Sequence, residues 1–233
     1  MTETDALRAS RARVVERIAA AARRAGRDPA DVTLVAVGKT VPAARLQAAV
    51  EAGLDVLGEN RVQEAEAKTA LVHGARWHLV GTLQSNKARR AVELFDVIES
   101  VDSTGLARRI DRLAGELRPG TRFAVFLQVN VDEDPAKAGF ETDAVAAAVP
   151  EILSLEHIDV RGLMTVGRLA ASPEQARATF RGLRSMGERL RAANPGLGGE
   201  LSMGMSDDFE VAVEEGATVV RIGQALFGHR HQH

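Results

Sequence analysis

Short apolar runs alternate with amphipathic segments along most of the chain. The first segment places Leu7, Val14 and Ile18 at helical spacing among arginines, and Gly26 follows where a helix C-cap is expected. Beyond it, continuous apolar runs predict strands that are buried on both faces. These runs cover residues 33–38, 55–58, 76–81, 95–100, 122–130, 159–164, 200–203 and 218–223. A helical pattern follows each run, at 42–52, 62–72, 87–94, 104–117, 143–153, 173–193, 207–215 and directly after 223.

Eight strand–helix units behind one leading helix predict an α/β fold, a closed (β/α)₈ barrel of the TIM type. An open doubly wound sheet is the alternative, although that fold usually has fewer units and a glycine-rich first turn. No linker or charge block divides the chain, so we expect one domain over 1–233. Within it, residues 1–30 form the leading helix and its connection, and 229–233 form a histidine-rich tail.

Composition and charge narrow the function classes. The chain is 45% hydrophobic and 27% charged, and 30 Lys+Arg against 32 Asp+Glu give a net charge of −2. Such a balance gives no overall basic field, so we expect no nucleic-acid or membrane partner. The chain has no cysteine, which excludes disulfides and thiolate metal sites. The N-terminus lacks the apolar core of a signal peptide, and the expected location is the cytoplasm.

In a (β/α)₈ barrel, chemistry is located at the carboxyl ends of the strands. The polar residues directly after the predicted strands are Lys39, Glu59, Asn60, Thr82, Gln84, Asn86, Ser100, Asn130, Thr165, Ser202, Ser206 and Arg221. Loop starts are polar for reasons unrelated to function, and most of these residues are expected to be solvated or to cap helices.

Lys39 directly follows an apolar strand and is expected to project into the barrel mouth. Its side chain either keeps a solvated charge there or is a lysine that forms a Schiff base, since only a neutral amine attacks a carbonyl. The sequence Gly38-Lys39-Thr40 resembles the end of a P-loop, but Thr33 stands where that motif requires its first glycine. A nucleotide-binding P-loop is therefore excluded.

The last two strands supply the other candidates. Arg221 is either a surface ion-pair residue or a charge inside the top of the barrel, and Gly223 after it allows close approach to a ligand. The loop after the eighth strand is a frequent phosphate site in these barrels. If an anion binds here, we expect Ser202, Gly204 and Ser206 to face it. Asp207 and its neighbour are expected to cap the next helix and point away.

The histidines form no recognisable metal motif. His78 stands apart from the others and none belongs to a His-Glu-x-x-His sequence. The histidines of 229–233 are expected to bind metals only adventitiously. We therefore predict no metal site.

Six motifs taken together resemble the pyridoxal 5′-phosphate (PLP) homeostasis protein family. They are Val-Gly-Lys-Thr (37–40), Gly-Glu-Asn-Arg-Val-Gln-Glu (58–64), Trp-His-Leu-Val-Gly-Thr-Leu-Gln-Ser-Asn-Lys (77–87), Gly-Leu-Met (162–164), Leu-Ser-Met-Gly-Met-Ser-Asp-Asp (201–208) and Val-Arg-Ile-Gly (220–223). The resemblance spans nearly the whole chain. It implies a barrel similar to the N-terminal domain of alanine racemase, that is, PLP fold type III without the C-terminal β-domain.

By position in these motifs, the resemblance implies PLP as cofactor and gives each residue a role. Lys39 looks like the lysine that forms the internal aldimine, and Arg221 like the arginine that faces the pyridine nitrogen. Asn60 lies in the motif near the cofactor ring. The implied phosphate cup consists of Ser202, Gly204, Ser206 and the backbone at Gly223.

Two positions depart from the family pattern. Many relatives have serine or threonine before the lysine, and this chain has Gly38. Many have threonine or serine after Arg-Ile-Gly, and this chain has Gln224, which removes one expected phosphate hydroxyl. Lys137 corresponds to a second family lysine.

The absence of tyrosine separates two functions that could share this site. The alanine racemases use the Schiff-base lysine and a tyrosine on opposite faces of the substrate, and an arginine at the pyridine nitrogen weakens the ring as an electron sink. We therefore expect reversible binding and delivery of PLP without substantial turnover. The expected recipients are apo PLP-dependent enzymes, and the expected state is a monomer or weak dimer. A racemase-like PLP enzyme and a cofactor-free phosphosugar-binding barrel enzyme are the alternatives.

Overall fold

Parallel strands alternate with helices along the chain in the computed structural model, which describes residues 2–167 and 172–228. The strands are β1 (Thr33–Val37), β2 (Val56–Glu59), β3 (Arg76–Leu79), β4 (Val97–Val101), β5 (Phe123–Gln128), β6 (Ile158–Met164), β7 (Glu200–Ser202) and β8 (Val219–Ile222). The helices are α1 (Glu3–Arg24), α2 (Ala43–Glu51), α3 (Val62–Thr69), α4 (Ala88–Leu94), α5 (Thr104–Leu117), α6 (Thr142–Leu153), α7 (Arg177–Ala193), α8 (Phe209–Glu214) and α9 (Gln224–Phe227). Short 3₁₀ turns cover Pro29–Asp31, Ser85–Lys87 and Pro173–Ala176.

The strands form a closed barrel in chain order, and β8 pairs in parallel with β1. In that closing pair, Val35 of β1 lies opposite Arg221 of β8. The predicted (β/α)₈ barrel is therefore confirmed, and the open doubly wound sheet is excluded.

Side chains of each strand alternate between the barrel interior and the surrounding helices. On β8, Val219 packs in the interior cluster, whereas Val220 and Ile222 pack in the outer core beneath the helices. Arg221 shares the inward phase of Val219. The interior apolar cluster consists of Val35, Val37, Val56, Val80, Phe126, Met164 and Val219. Val37 ends β1 and Val80 directly follows β3, so this cluster extends to the carboxyl end of the barrel.

The leading helix α1 packs on the outside of the barrel against α2, α8 and α9. It begins with a capping box, in which Thr2 and Asp5 satisfy each other's backbone N–H groups. Its inward face buries Leu7, Val14 and Ile18. Each such side chain contributes roughly 1.5–3 kcal/mol when fully buried. The predicted leading helix is confirmed.

Several predicted boundaries shift, and the contacts around two of them give a local reason. The fourth strand begins at Val97 instead of residue 95, because Phe95 caps α4 and is fully buried, and the Asp96 carboxylate accepts the Trp77 backbone N–H. The eighth helix begins at Phe209 instead of residue 207, because a turn precedes it in which the N–H groups of Asp208 and Phe209 both bond to the Met205 carbonyl.

Within the described ranges, no helix is both long and apolar enough to cross a membrane. The histidine-rich tail 229–233 lies outside the described residues. The assignment of 1–233 to one domain, with a leading segment at 1–30, stays a prediction.

Candidate functional site

A cavity of about 1180 Å³ opens at the carboxyl ends of the strands. Its lining includes five of the seven residues predicted from the sequence, namely Lys39, Asn60, Ser206, Arg221 and Gly223. Thr82, Arg45, Arg61, Gln128 and Gln224 are among the other lining residues. The strand-end rule therefore locates the cavity correctly.

Lys39 is carried by a tight turn that directly follows β1. The Gly38 N–H donates to the Gly58 carbonyl of the neighbouring strand, and the Val41 N–H donates back to the Gly38 carbonyl. A Cβ at position 38 would lie 2.7 Å from Leu46 Cδ2, so glycine there lets the buried α2 side chain approach the turn. The Lys39 side chain is exposed at the cavity.

Asn60 reaches the cavity from the turn after β2, and Gly81 faces it from the turn after β3. A Cβ at position 81 would lie 2.3 Å from the Asn60 carbonyl oxygen. Real Cβ atoms do not approach backbone so closely, so glycine is required for these two turns to pass each other.

Arg221 extends from β8 into the barrel and is only 5% exposed. Its Nη1 donates to Ser202 Oγ at 2.5 Å and its Nη2 to the Thr165 carbonyl at 2.7 Å. Burial lowers the pKa of Arg221, and the negative charges of Glu99 and Asp208 oppose that shift. The guanidinium is therefore held in one orientation at the cavity floor.

Glu99 is the counter-charge beneath this floor and is fully buried on β4. Its Oε2 accepts the Ser202 hydroxyl at 2.6 Å, and its Oε1 lies 2.6 Å from His78 Nδ1. Burial alone would raise the pKa of Glu99, but the hydrogen bond and charge of His78, the charge of Arg221 and the Ser202 hydrogen bond together lower it. Glu99 therefore holds an ionised carboxylate inside the barrel.

Sequence reasoning missed Glu99 and treated His78 as isolated. Glu99 follows Val97 and Ile98 in the predicted strand 95–100, and His78 lies between Trp77 and Leu79 in the predicted strand 76–81. A charged or titratable residue within a buried strand needs a partner. A titratable residue within a predicted buried strand was therefore the signal that could have identified Glu99 and His78.

Ser202 and Gly204, both predicted to face an anion, lie behind the cavity wall. The Ser202 side chain is fully buried and bonded to Glu99 and Arg221. Gly204 has φ +94°, and a Cβ there would lie 2.5 Å from Ala212 Cβ. Its carbonyl accepts the Arg221 backbone N–H. In this structure both residues support Arg221.

Ser206 and Gly223 form the part of the cavity wall where β7 and β8 end. The Ser206 hydroxyl accepts the Ala225 N–H at 3.3 Å. A Cβ at position 223 would lie 3.2 Å from the Val37 carbonyl oxygen, so glycine brings the end of β8 close to β1.

The expectation that both aspartates point away from this wall is wrong for Asp207. Asp207 lines the cavity, whereas the Asp208 carboxylate accepts the Met205 N–H at 2.6 Å. The cause is the later start of α8, which leaves Asp207 in the preceding turn instead of the capping position.

The electrostatics of the cavity favour an anionic ligand. Lys39, Arg45, Arg61 and Arg221 line it, against the carboxylate of Asp207. Arg45 pairs with Glu3 and Arg221 with the buried Glu99, so Lys39 and Arg61 supply the excess positive charge. An exposed primary amine, a hydroxyl and a fixed guanidinium around one cavity can hold an anion that also carries a carbonyl group. Among residues 2–167 and 172–228, no cluster of three or more His, Asp or Glu is arranged to hold a metal ion.

Lys137 lies in the loop after β5. Its ammonium donates to the Val166 carbonyl at 3.1 Å and also contacts the Gly167 carbonyl oxygen. In this structure it tethers two loops.

Comparisons with known proteins agree with this geometry. The family model described as alanine racemase, N-terminal domain, matches residues 10–231. A relative from Pseudomonas aeruginosa named pyridoxal phosphate homeostasis protein is 44% identical over 223 residues, which is 94% of this chain and 94% of that protein. The structure of PipY from Synechococcus elongatus with PLP bound has a TM-score of 0.81 and 44% identity, covering 92% of this chain and 100% of that one. Alanine racemase from Clostridium difficile in complex with cycloserine shares the fold, with a TM-score of 0.71 and 17% identity over 94% of this chain and 60% of that one.

Proposed function

The chain belongs to the pyridoxal phosphate homeostasis protein family, and on that premise we propose that it binds PLP reversibly through Lys39 in order to buffer and deliver the cofactor. The observation that carries the proposal is the exposed amine of Lys39 in the cavity that also contains the buried Arg221 guanidinium. A relative of 44% identity has been solved with PLP bound, which supports the choice of ligand.

The covalent link is a condensation that needs no other reagent. The neutral Lys39 amine adds to the PLP aldehyde, a C=N bond forms, and the carbonyl oxygen leaves as one water molecule. Because water reverses the same step without an oxidant or reductant, loading and release use one chemistry. An exposed lysine at the mouth of an open cavity suits such an exchange.

Arg221 is suited to keep the bound ring electronically inactive. A guanidinium has only N–H donors, so a pyridine nitrogen that faces it must be an unprotonated acceptor. Ser202 and Thr165 fix the guanidinium, and Glu99 supplies its counter-charge. An unprotonated pyridine withdraws electrons poorly, which suits a carrier better than a carbanion-forming enzyme.

The phosphate is proposed to lie against Ser206 and Gly223, where the turn after β7 meets the end of β8. The glycine leaves the backbone accessible, and the serine offers a hydroxyl. Gln224 also lines this wall, so its amide stands where many relatives have a hydroxyl. Ser202 and Gly204 would act on the ligand through Arg221. Asn60 would lie beside the ring.

Substantial amino-acid turnover is not part of the proposal. Racemisation needs an acid or base on each face of the substrate Cα, and the chain has no tyrosine to serve opposite Lys39. Apo PLP-dependent enzymes are the proposed recipients. A monomeric or weakly dimeric state and a cytoplasmic location stay predictions.

The test is a PLP titration followed by borohydride reduction and peptide mapping. The chain has four lysines, Lys39, Lys68, Lys87 and Lys137, so an adduct can be assigned unambiguously. We expect a visible band that reduction converts to a phosphopyridoxyl group on Lys39. Lys39→Ala abolishes it, and Lys87→Ala, outside the cavity lining, serves as the control.

Two further measurements separate a carrier from an enzyme. Loaded protein should restore activity to an apo PLP-dependent enzyme and should not racemise amino acids. An adduct spread over several lysines, or no band at all, would reject the cofactor and leave a phosphate-binding barrel. Rapid racemisation by the loaded protein would reject the carrier function.

A further inference from the structure

The turn that carries Lys39 has open space on both sides. One side faces the main cavity, and the other borders a groove of about 450 Å³ lined in part by Thr40, Glu64 and Lys68. Lys39 and Thr40 are both exposed. Packing against other side chains therefore does little to fix the direction of the Lys39 amine. Hydrogen bonds to the backbone of the turn must fix that direction instead.

The backbone of the same turn is strained at Thr40, which has φ +65°. An L-residue with a side chain loses roughly 1–2 kcal/mol in this left-handed region. Such a conformation persists only where the surrounding structure imposes it. Some group outside the turn must therefore hold it.

Two side chains from α3 reach the turn. Lys68 Nζ donates to the Gly38 carbonyl at 3.0 Å, and Glu64 Oε2 accepts the Thr40 N–H at 3.3 Å. Glu64 and Lys68 are four residues apart, so they lie on the same face of the helix. One face of α3 thus binds the backbone on both sides of Lys39.

The Lys68 ammonium is itself fixed from the barrel. Lys68 is 9% exposed, and its Nζ donates to Oε1 of the fully buried Glu59 at 2.6 Å. The other carboxylate oxygen of Glu59 has no hydrogen-bond partner among the residues that the structure describes. Burial raises the pKa of Glu59, although Lys68 acts in the opposite direction. A buried ion pair with one unsatisfied oxygen contributes little to stability. The evident role of the Glu59–Lys68 pair is therefore to hold the turn through the Gly38 carbonyl.

We infer that Lys68 is a positioning residue for Lys39: by holding the Gly38 carbonyl, with Glu59 behind it, it sets the direction of the Lys39 amine toward the cavity. The inference rests on the proposed function, because direction matters only if Lys39 forms a covalent link. Lys68 does not line the main cavity, so it acts through the turn.

The test compares two ligands that differ in one functional group. PLP carries the aldehyde that links to Lys39, whereas pyridoxine 5′-phosphate has an alcohol there and binds only non-covalently. Lys68→Met should weaken PLP binding by about 10- to 100-fold, the range for losing a hydrogen bond from a charged group. Its affinity for pyridoxine 5′-phosphate should stay within about twofold of wild type. Lys68→Arg, which keeps a charged donor, should recover most of the PLP affinity.

Arg27→Met is the matched control. Arg27 also donates to buried backbone carbonyls, those of Val213 and Ala217, but at the opposite end of the barrel. It should change neither affinity. If Lys68→Met does not fold, Glu64→Ala decides, since Glu64 is partly exposed and its loss should produce a smaller selective loss of PLP affinity.

The outcomes distinguish this inference from the proposed function. Equal weakening of both ligands by Lys68→Met, or no weakening of either, would overturn the positioning role while the wild-type adduct on Lys39 leaves the function standing. Absence of that wild-type adduct would overturn the function itself. A loss confined to PLP supports both.

Discussion

The Ser202 hydroxyl lies between Arg221 and Glu99, which are 4.0 Å apart at their nearest charged atoms. It accepts from the Arg221 guanidinium at 2.5 Å and donates to the Glu99 carboxylate at 2.6 Å. A single hydroxyl thus joins the buried cation at the cavity floor to the buried anion that balances it. Serine suits this position because a hydroxyl both donates and accepts.

Ser202→Ala should therefore destabilise the fold and weaken PLP binding together. It leaves one donor of Arg221 and one acceptor of Glu99 unpaired in the barrel interior, at a cost of about 1–3 kcal/mol. The guanidinium also loses one of its two fixed contacts. Urea unfolding and a PLP titration of the same variant measure the two effects.

Thr179→Val is the matched control for Ser202→Ala. It also removes a buried hydroxyl that donates to a carboxylate, that of Asp132, but Thr179 does not line the cavity. It should lower stability and leave PLP affinity unchanged. A Ser202→Ala variant with wild-type affinity would show that the bridge does not position Arg221.

Glu99→Gln should cost about 3 kcal/mol near neutral pH, because it removes the charge that compensates a buried guanidinium. The folded pKa of Glu99 is lowered, so its ionisation stabilises the fold above the unfolded value of roughly 4.3. That contribution disappears as pH falls through the lower folded pKa. The stability gap between wild type and variant should therefore narrow below about pH 4.3.

Urea unfolding of both proteins at neutral and acidic pH checks this prediction. Glu116→Gln is the control, because Glu116 forms exposed pairs with Arg89 and Arg112 that are worth under about 1 kcal/mol. A gap that is the same at every pH would mean that folding does not lower the pKa of Glu99, and a gap that widens as pH falls would mean that folding raises it.

The sequence pattern was sufficient for the barrel, and it named Lys39 and Arg221 among the polar strand-end residues that line the cavity, although their roles stay a proposal. Continuous apolar runs reveal the strands, and a polar residue directly after a run marks a strand end. The pattern could not reveal the bridge, because Ser202 and Glu99 are 103 positions apart in sequence and meet only when the barrel closes. Nor could it give the stagger between neighbouring strands, which decides whether a residue such as Ser202 lies at the mouth or beneath it.

Gly81→Ala should damage the site through the backbone. The new Cβ would start 2.3 Å from the Asn60 carbonyl oxygen, so one of the two turns must move, at a cost of about 1–3 kcal/mol. Gly81 and Asn60 both line the cavity, so PLP affinity should fall as well as stability. Thermal unfolding and a PLP titration measure the two.

Gly105→Ala provides the comparison for Gly81. It lies in the first turn of α5, and among the described residues no atom beyond its chain neighbours and its own helix backbone lies within 4 Å of an added Cβ. Only the difference in helix propensity between glycine and alanine then affects stability, so the change should be neutral or stabilising by up to about 1 kcal/mol. If both alanine variants behave alike, the close approach of the two turns is not constraining.

Ser206→Ala tests where the phosphate binds, through a comparison of the affinities for PLP and for pyridoxal. The hydroxyl is proposed to bond the phosphate, and a hydrogen bond to a charged group is worth about 1.5–3 kcal/mol, or roughly 10- to 100-fold in affinity. Pyridoxal has the same ring and aldehyde without the phosphate. Its affinity should therefore be unchanged by Ser206→Ala, while that of PLP falls.

Competition by inorganic phosphate gives a second measurement on the same variant. Inorganic phosphate should compete with PLP for wild-type protein. It should protect the protein only weakly from reaction with pyridoxal, because phosphate and pyridoxal occupy different parts of the cavity. Ser206→Ala should weaken that competition. Ser154→Ala, an exposed serine bonded to the Glu151 carbonyl, is the control. If Ser206→Ala lowers the affinity for PLP and for pyridoxal equally, the phosphate does not bind at Ser206. The Ser206 hydroxyl would then lie beside the ring.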